Sequence, residues 1–197
     1  MKQFAPACDH NKDEILAVLQ EVLPGSGLVL EIGSGTGQHA VHFAARLPHV
    51  IWQPTDLLPN LPSIHAWRDE AALPNMRVPL ELDLLSESWP ITAADAVVCV
   101  NTVHIVAWSG VEKLFAGVGR MLAPGGVMYV YGAYRYATRS LEPSNEKFDQ
   151  WLKARDAASG VRDFEAVNML AQRNGLQLTE DRAMPGNNRS IWWTKSM

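Results

Sequence analysis

Three glycines alternate with other residues directly after an apolar run, and this stretch is the part of the chain best suited to hold a ligand. Residues 28–38 read LVLEIGSGTGQ, with Glu31 ahead of the glycines Gly33, Gly35 and Gly37. An apolar run that breaks at glycines and continues as a helix predicts a strand, a tight turn and a helix. Glycine permits positive φ and lets a ligand approach the main chain, and the amides that begin the helix attract a negative group.

A second candidate position is Asp56, which ends the next apolar run, 50–56. It lies about 20 residues beyond the glycines, where a carboxylate binds ribose hydroxyls in parallel sheets of this type. An aspartate that precedes a helix is also often a helix cap, so that alternative stays open.

The spacing of the glycines separates two classes of cofactor. The dinucleotide fingerprint places its third glycine one residue later, where this chain has Gln38. The pattern Glu31-x-Gly33-x-Gly35-x-Gly37 instead resembles the first motif of class I methyltransferases that use S-adenosylmethionine (SAM). The resemblance implies SAM as the cofactor. An oxidoreductase that binds NAD(P) is disfavoured, because the chain also lacks a Tyr-x-x-x-Lys pair.

Composition limits the remaining classes of function. The chain has 197 residues, two cysteines and a net charge of −4. No run of Lys or Arg supplies the basic stripe that nucleic acid requires, so no nucleic-acid partner is expected. With too few cysteines for a disulfide scaffold, no signal peptide and no run of about 18 apolar residues, we expect a cytoplasmic protein without a membrane segment. His39 and His42 lack companion ligands, so no metal site is expected.

Helix and strand patterns alternate along the chain. This alternation predicts an α/β fold with one doubly wound, Rossmann-like parallel sheet, whose ligands bind at the carboxyl ends of the strands. Asn11 with Glu14, and Ser109 with Glu112, have capping-box spacing, while residues 133–145 lack a period and predict a rim loop. The predicted strands cover 28–32, 50–56, 76–82, 94–100, 127–132, 176–180 and 190–194, and the predicted helices cover 13–23, 38–47, 64–73, 109–122, 146–157 and 163–174.

Seven segments together resemble the domain-of-unknown-function 938 family, whose members are also called methyltransferase-like protein 26. Two departures are Gly33, where alanine is expected, and Val106-Ala107, where Ser-Pro is expected. The segments are 9–11, 31–44, 52–56, 101–108, 144–149, 160–163 and 184–188.

The resemblance implies one class I methyltransferase domain over residues 1–197. Its sheet would have about seven strands with the last one antiparallel, an N-terminal lid and helix at 1–25, and a rim loop and helix at 133–160. The implied cofactor contacts are Gly33, Gly35 and Gly37 at the methionine end, Glu31 towards the ammonium group, Asp56 with Leu57 at the ribose, Asp83 with Leu84 at the adenine, and Asn101 beneath the sulfonium.

The implied catalytic residues are His104, as a general base, and Asn101 beside it. The His-x-x-x-Trp spacing of His104 and Trp108 is similar to the histidine region of some small-molecule O-methyltransferases, and a structural histidine is the alternative. An Asn-Asn pair also suits a turn, and Asn11 also suits a helix cap. The residues expected to face the substrate are His10, Asn11, Trp108, Tyr134, Asn145, Asn187 and Asn188.

These observations predict a SAM-dependent methyltransferase that transfers a methyl group to an oxygen or nitrogen of a small molecule. The alternative is a regulatory or scaffold protein that binds SAM without turnover. The sequence predicts neither the acceptor nor the oligomeric state.

Overall fold

The computed structural model describes residues 1–196, in which helices and strands alternate as the sequence predicts. The helices are α1 (Pro6–Val22), α2 (Gln38–Arg46), α3 (Leu61–Ala71), α4 (Thr102–Ile105), α5 (Trp108–Met121), α6 (Pro143–Arg155) and α7 (Phe164–Arg173), with short 3-10 turns at Leu58–Asn60 and Pro185–Asn187. The strands are β1 (Gly27–Ile32), β2 (Val50–Asp56), β3 (Leu80–Glu81), β4 (Ala94–Val100), β5 (Leu122–Gly132), β6 (Tyr134–Arg135), β7 (Arg162–Asp163), β8 (Leu176–Met184) and β9 (Asn188–Lys195).

Seven of these strands form one sheet in the order β3-β2-β1-β4-β5-β9-β8. β1, β2, β3, β4 and β5 pair in parallel, while β9 is antiparallel to both of its neighbours. The last strand in sequence is therefore the reversed one, which confirms the predicted doubly wound α/β fold. Reversal of β9 also brings the turn between β8 and β9 to the edge where the parallel strands end.

Two apolar cores cover the two faces of the sheet. Along β4, Val97 and Cys99 pack into the core shared with α5 and α7, whereas Ala96 and Val98 pack into the core shared with α1 and α2. Because both faces are covered, the successive residues 96–100 of the strand are all apolar, as is typical of a central parallel strand. The rigid sheet holds the strand ends, and with them the candidate site, in fixed positions.

The N-terminal helix begins earlier than predicted. Its N-cap is Ala5 and Pro6 occupies the first turn, so the prediction of Asn11 as the cap is wrong. Proline suits this first position because its fixed φ is helical and it needs no N–H partner there. The main-chain N–H of Ala5 donates to Gln38 Oε1 at 2.6 Å, a tertiary contact that fixes the start of the helix. Asn11 thus lies within the helix and its side chain is free for other contacts.

The predicted third strand, 76–82, is reduced to two residues paired with β2 and a single bridge between Trp52 and Met76. In the gap, Gln53 Nε2 donates to Val78 O at 2.8 Å, so a side chain replaces a ladder hydrogen bond. Pro79 follows and has no N–H to donate. The shorter pairing leaves residues 82–85 as a loop at the cavity.

Two helix starts also differ from the prediction. The cap of α5 is Ala107 without a side-chain hydrogen bond, so the predicted capping box of Ser109 and Glu112 is not formed. Glu112 accepts instead from Trp108 Nε1 at 3.1 Å. Residues 133–145 are not entirely loop, because β6 pairs there with β7 and α6 already begins at Pro143.

Candidate functional site

A cavity of about 530 Å³ opens where β1, β2 and β4 end. Its floor is formed by the glycine loop, one side by the loops after β2 and β3, and the other side by the first turn of α1 and the start of α5. The lining includes Ala5, Cys8, Gly33, Gly35, Thr36, His39, Asp56, Leu57, Asp83, Leu84, Asn101, Ile105 and Ser109. This is the edge of the sheet where ligands bind in open α/β folds.

The three glycines of the loop have different tasks. Gly33 and Gly35 line the cavity, whereas Gly37 is buried and does not. A Cβ on Gly35 would meet no atom within 4 Å, so this glycine leaves open space for a ligand. A Cβ on Gly37, where φ is 94°, would lie 2.9 Å from the Cα of Ile64. Gly37 therefore permits the close packing of the loop against α3 rather than contact with a ligand.

Asp56 lines the cavity and is also bonded to the loops on both sides of it. One carboxylate oxygen accepts from the main-chain N–H of Gly35 at 2.6 Å, and the other accepts from the N–H of Leu57 and from Asn60 Nδ2 at 2.7 and 2.8 Å. The N-cap of α3 is Asn60, and among the described residues no side chain donates or accepts a capping hydrogen bond there. The carboxylate thus joins the glycine loop to the turn before α3, and the proposed alternative of a helix cap does not describe it.

Glu31 lies beneath the glycine loop, almost completely buried and outside the cavity lining. Its carboxylate accepts from Ser34 Oγ at 2.7 Å and from Trp52 Nε1 at 3.2 Å. Burial raises the pKa of this carboxyl to about 7, since the charged form is poorly solvated there. The resemblance implies that Glu31 attracts the ammonium group directly or through water. Ser34 lines the cavity and is bonded to this carboxylate, so a direct contact does not agree with the structure.

Asn101 lies at the end of β4 and lines the cavity. Its φ is 58°, in the left-handed region, and its N–H donates to Tyr131 O at 2.9 Å. Strained positions of this kind are held by surrounding structure and are frequent in ligand sites. With Gly33, Gly35, Asp56, Leu57, Asp83 and Leu84, the structure brings seven of the predicted cofactor residues to one cavity.

His104 is fully buried and lies behind the cavity wall rather than in its lining. Its ring packs edge-on against Tyr134 and Phe148, with centroids 5.6 and 6.1 Å away. Within residues 1–196 neither ring nitrogen has a side-chain hydrogen-bond partner. Burial lowers the pKa of His104 to about 3. The structural alternative agrees with this position, whereas a general base must reach the proton of a substrate.

The predicted substrate residues do not line the cavity either. Asn145 Nδ2 donates to Asn187 O at 3.0 Å and Asn187 Nδ2 donates to Ser144 Oγ at 2.9 Å, so these side chains dock α6 on the turn after β8. Asn187 has φ of 59°, as the turn alternative requires.

The remaining predicted substrate residues are exposed, buried or bonded elsewhere. His10 is exposed and Tyr134 is buried. Asn11 contacts His39, Trp108 donates to Glu112, and Asn188 Nδ2 donates to Pro185 O.

Cys8 and His39 also line the cavity, although the sequence patterns did not predict them there. The signal for His39 was present, since it lies two residues after the last glycine and so in the first turn of α2. Cys8 carried no such signal, because its place depends on the docking of α1.

Residues 1–196 contain neither a cluster of metal ligands nor a helix able to cross a membrane. No cluster of three or more His, Cys, Asp or Glu side chains is arranged to hold a metal ion in this part of the chain. Among the described helices, none combines the length and the apolar character needed to cross a membrane.

The solved structures that are similar to this chain include several methyltransferases. An O-methyltransferase family protein from Burkholderia thailandensis has a TM-score of 0.79 at 16% identity, over 96% of this chain and 60% of that one. Human N-acetylserotonin methyltransferase in complex with SAM has a TM-score of 0.77 at 17% identity, over 97% and 53%. An O-methyltransferase family 2 protein from Planctomyces limnophilus in complex with apigenin has a TM-score of 0.80 at 12% identity. The match covers 96% of this chain and 60% of that one. The chain thus spans less than two thirds of each of these proteins and shares their fold.

One protein family matches nearly the whole chain. It is described as "Protein of unknown function (DUF938)", and the match covers residues 2–195. The chain therefore belongs to the DUF938 family, and its fold is that of the SAM-dependent methyltransferases.

Proposed function

We propose that this protein is a methyltransferase that uses SAM to methylate a small molecule. The observation that carries the proposal is the single cavity shared by the glycine loop, the carboxylate of Asp56 and Asn101 at the end of β4. Asp56 would accept hydrogen bonds from the ribose hydroxyls of SAM. The main chain of Gly33 and Gly35 would lie beside its methionine part. Leu57 and Leu84 supply apolar surface for the adenine.

The charges around the cavity support this cofactor. Its described lining has two carboxylates, Asp56 and Asp83, and no Lys or Arg. SAM carries a sulfonium and an ammonium group, which this acidic surface attracts, while the start of α2 offers main-chain amides to the carboxylate of SAM. The same lining favours a neutral or cationic acceptor over a phosphate or a carboxylate.

Methyl transfer requires alignment more than acid or base chemistry. The sulfonium is displaced in line, so the protein has to orient the acceptor and exclude water. The rim residues Leu57, Leu85 and Ile105 are apolar although roughly half exposed, at 47%, 59% and 58%. Apolar side chains at the mouth are suited to cover a bound acceptor. An amine acceptor would need no base, which agrees with the position of His104 outside the cavity lining.

Calorimetric titration tests the cofactor. SAM and its demethylated product S-adenosylhomocysteine should bind, while NAD and NADP should not. Tight NAD binding without heat from SAM would overturn the proposal. Release of S-adenosylhomocysteine with a panel of neutral phenols and amines then distinguishes an enzyme from a protein that only binds SAM.

A further inference from the structure

Three side chains at the α1 wall of the cavity form a line of polar contacts. Cys8 Sγ lies 3.7 Å from His39 Nδ1, and His39 Nε2 lies 2.8 Å from Asn11 Oδ1. Both Cys8 and His39 line the cavity. Because the amide oxygen of Asn11 can only accept, it keeps the ring proton on Nε2 and leaves the lone pair of Nδ1 directed at the thiol.

The imidazole ring is held in this orientation. It stacks on Phe43 with centroids 5.3 Å apart and an angle of 7° between the rings. Burial lowers the pKa of His39 to about 4 and raises the pKa of Cys8 to about 11, so both groups are neutral near pH 7. On its own the thiol is therefore a weak nucleophile. The positive charge of a bound sulfonium lowers the pKa of a neighbouring thiol, so the proton passes to His39 in the same step as the methyl group is transferred. A nucleophile, a base and a group that orients the base are the components of a nucleophilic site.

We propose that Cys8 is a methyl-accepting thiol, and that the protein methylates itself there when SAM occupies the cavity. The inference rests on the proposed function, because the methyl donor is the proposed cofactor. Cys8 faces the same cavity as Gly35 and Asn101, the residues assigned to the methionine and sulfonium parts. Among the side chains of that lining, sulfur is the best nucleophile for a soft electrophile such as a sulfonium methyl group.

The step balances without any other reactant. A bond forms between Cys8 Sγ and the methyl carbon while the bond between that carbon and the sulfonium breaks, and its electron pair stays on the sulfur of S-adenosylhomocysteine. The thiol proton moves to His39 Nδ1. The positive charge of the sulfonium is thereby replaced by an imidazolium, which returns its proton to water because the low pKa of His39 disfavours the charged form.

The test is mass spectrometry of the full chain after incubation with SAM that carries a deuterated methyl group. The labelled methyl group should appear on the tryptic peptide Gln3–Lys12, which contains Cys8. Cys99 is the internal control, since it is fully buried in β4 and should remain unlabelled. Cys8→Ser should abolish the label.

Three variants separate the roles of the neighbours. His39→Gln should slow labelling by up to roughly 10²-fold, the low end of the contribution of a general base, because the pKa of His39 lies below the working pH. Asn11→Ala should slow it less, and Asn11→Asp should restore the rate because it keeps an oxygen acceptor for His39 Nε2. His42→Gln is the matched control, since His42 follows on the same helix but contacts Asp13 instead.

Calorimetry with SAM on the same samples makes the outcomes distinct. Binding of SAM with no label on Cys8 overturns this inference and leaves the proposed function intact. Labelling at an unchanged rate in His39→Gln contradicts the assignment of the base. Absence of SAM binding removes the proposed function and this inference together.

Discussion

Asp56 and Gly35, which are 21 residues apart in sequence, are joined by a hydrogen bond of 2.6 Å from the glycine N–H to the carboxylate. The same carboxylate is only 9% exposed and lines the cavity. One side chain therefore shapes the glycine loop and presents an acceptor to a ligand. Variants of Asp56 should therefore separate its effect on the stability of the loop from its effect on ligand binding.

Asp56→Asn should weaken SAM binding by about 1 to 3 kcal/mol, because one charged acceptor for the ribose hydroxyls is lost. Asp56→Ala should weaken binding further and also lower the melting temperature, since the donors of Gly35, Leu57 and Asn60 lose their acceptor. Titration calorimetry and thermal melts measure the two effects. Asp95→Asn is the matched control, because Asp95 accepts from the N–H of Leu28 at 2.7 Å outside the cavity. Unchanged SAM affinity in Asp56→Ala would contradict the ribose role.

Gly35→Ala should impair SAM binding, whereas Gly37→Ala should impair folding. At Gly35 a methyl group enters open space in the cavity, so the protein should fold with a modest loss of stability, about 1 kcal/mol for the left-handed φ, and bind SAM poorly. At Gly37 the methyl group meets the main chain of α3, so folding itself should be impaired. Circular dichroism melts with calorimetry compare them. Normal SAM binding in a stable Gly35→Ala protein would place the cofactor elsewhere.

The buried carboxyl of Glu31 should make stability depend on pH. Its pKa is about 7 in the folded protein against an ordinary value of 4.5, so the folded state holds the proton more strongly. The contribution of Glu31 is therefore fully present below pH 4.5 and is lost as the pH rises to about 7, by at most about 1.4 kcal/mol per pH unit. Urea unfolding at several pH values should show wild type losing stability relative to Glu31→Gln across this window. A constant difference between the two proteins would refute the shift.

His104→Ala should destabilise the fold by about 1 to 3 kcal/mol, because the cavity it leaves costs stability while the loss of two unpaired buried nitrogens offsets part of that cost. SAM affinity should change little, because His104 does not line the site. Since its folded pKa is about 3 and its ordinary value 6.5, the stability due to a neutral His104 is present above pH 6.5 and is lost as the pH falls. Acid unfolding of the variant should accordingly be less steep. A stable His104→Ala protein that binds SAM but has lost turnover would instead restore the general-base hypothesis.

The sequence predicted best the parts of the site that depend on the main chain. Gly33, Asp56 and Asn101 directly follow or end parallel strands, and the ends of such strands necessarily meet at one edge of the sheet. The order of the strands does not determine in which direction a side chain beyond a strand end points. One turn of α4 carries His104 away from the cavity and against Gly132, where an added Cβ would lie 2.0 Å from its Nε2.

The residues at the α1 wall could not be predicted for a related reason. The start of α1 is fixed by contacts with α2 and α3, among them the bond of Gln3 N to Ser63 Oγ at 2.9 Å. Local capping signals pointed to Asn11, but tertiary contacts of the preceding residues outweighed them. Propensity acts over one turn, whereas the docking of a helix depends on partners dozens of residues away.

The reversed direction of β9 bears on how the protein should be purified. β9 begins at the cavity edge of the sheet and ends at Lys195, which pairs with Leu176 at the opposite edge. Residues 2–5, by contrast, are held beside the cavity mouth by Gln38 and Ser63. An affinity tag fused behind β9 therefore leaves the mouth clear, whereas a tag fused ahead of α1 lies next to it and narrows the entrance.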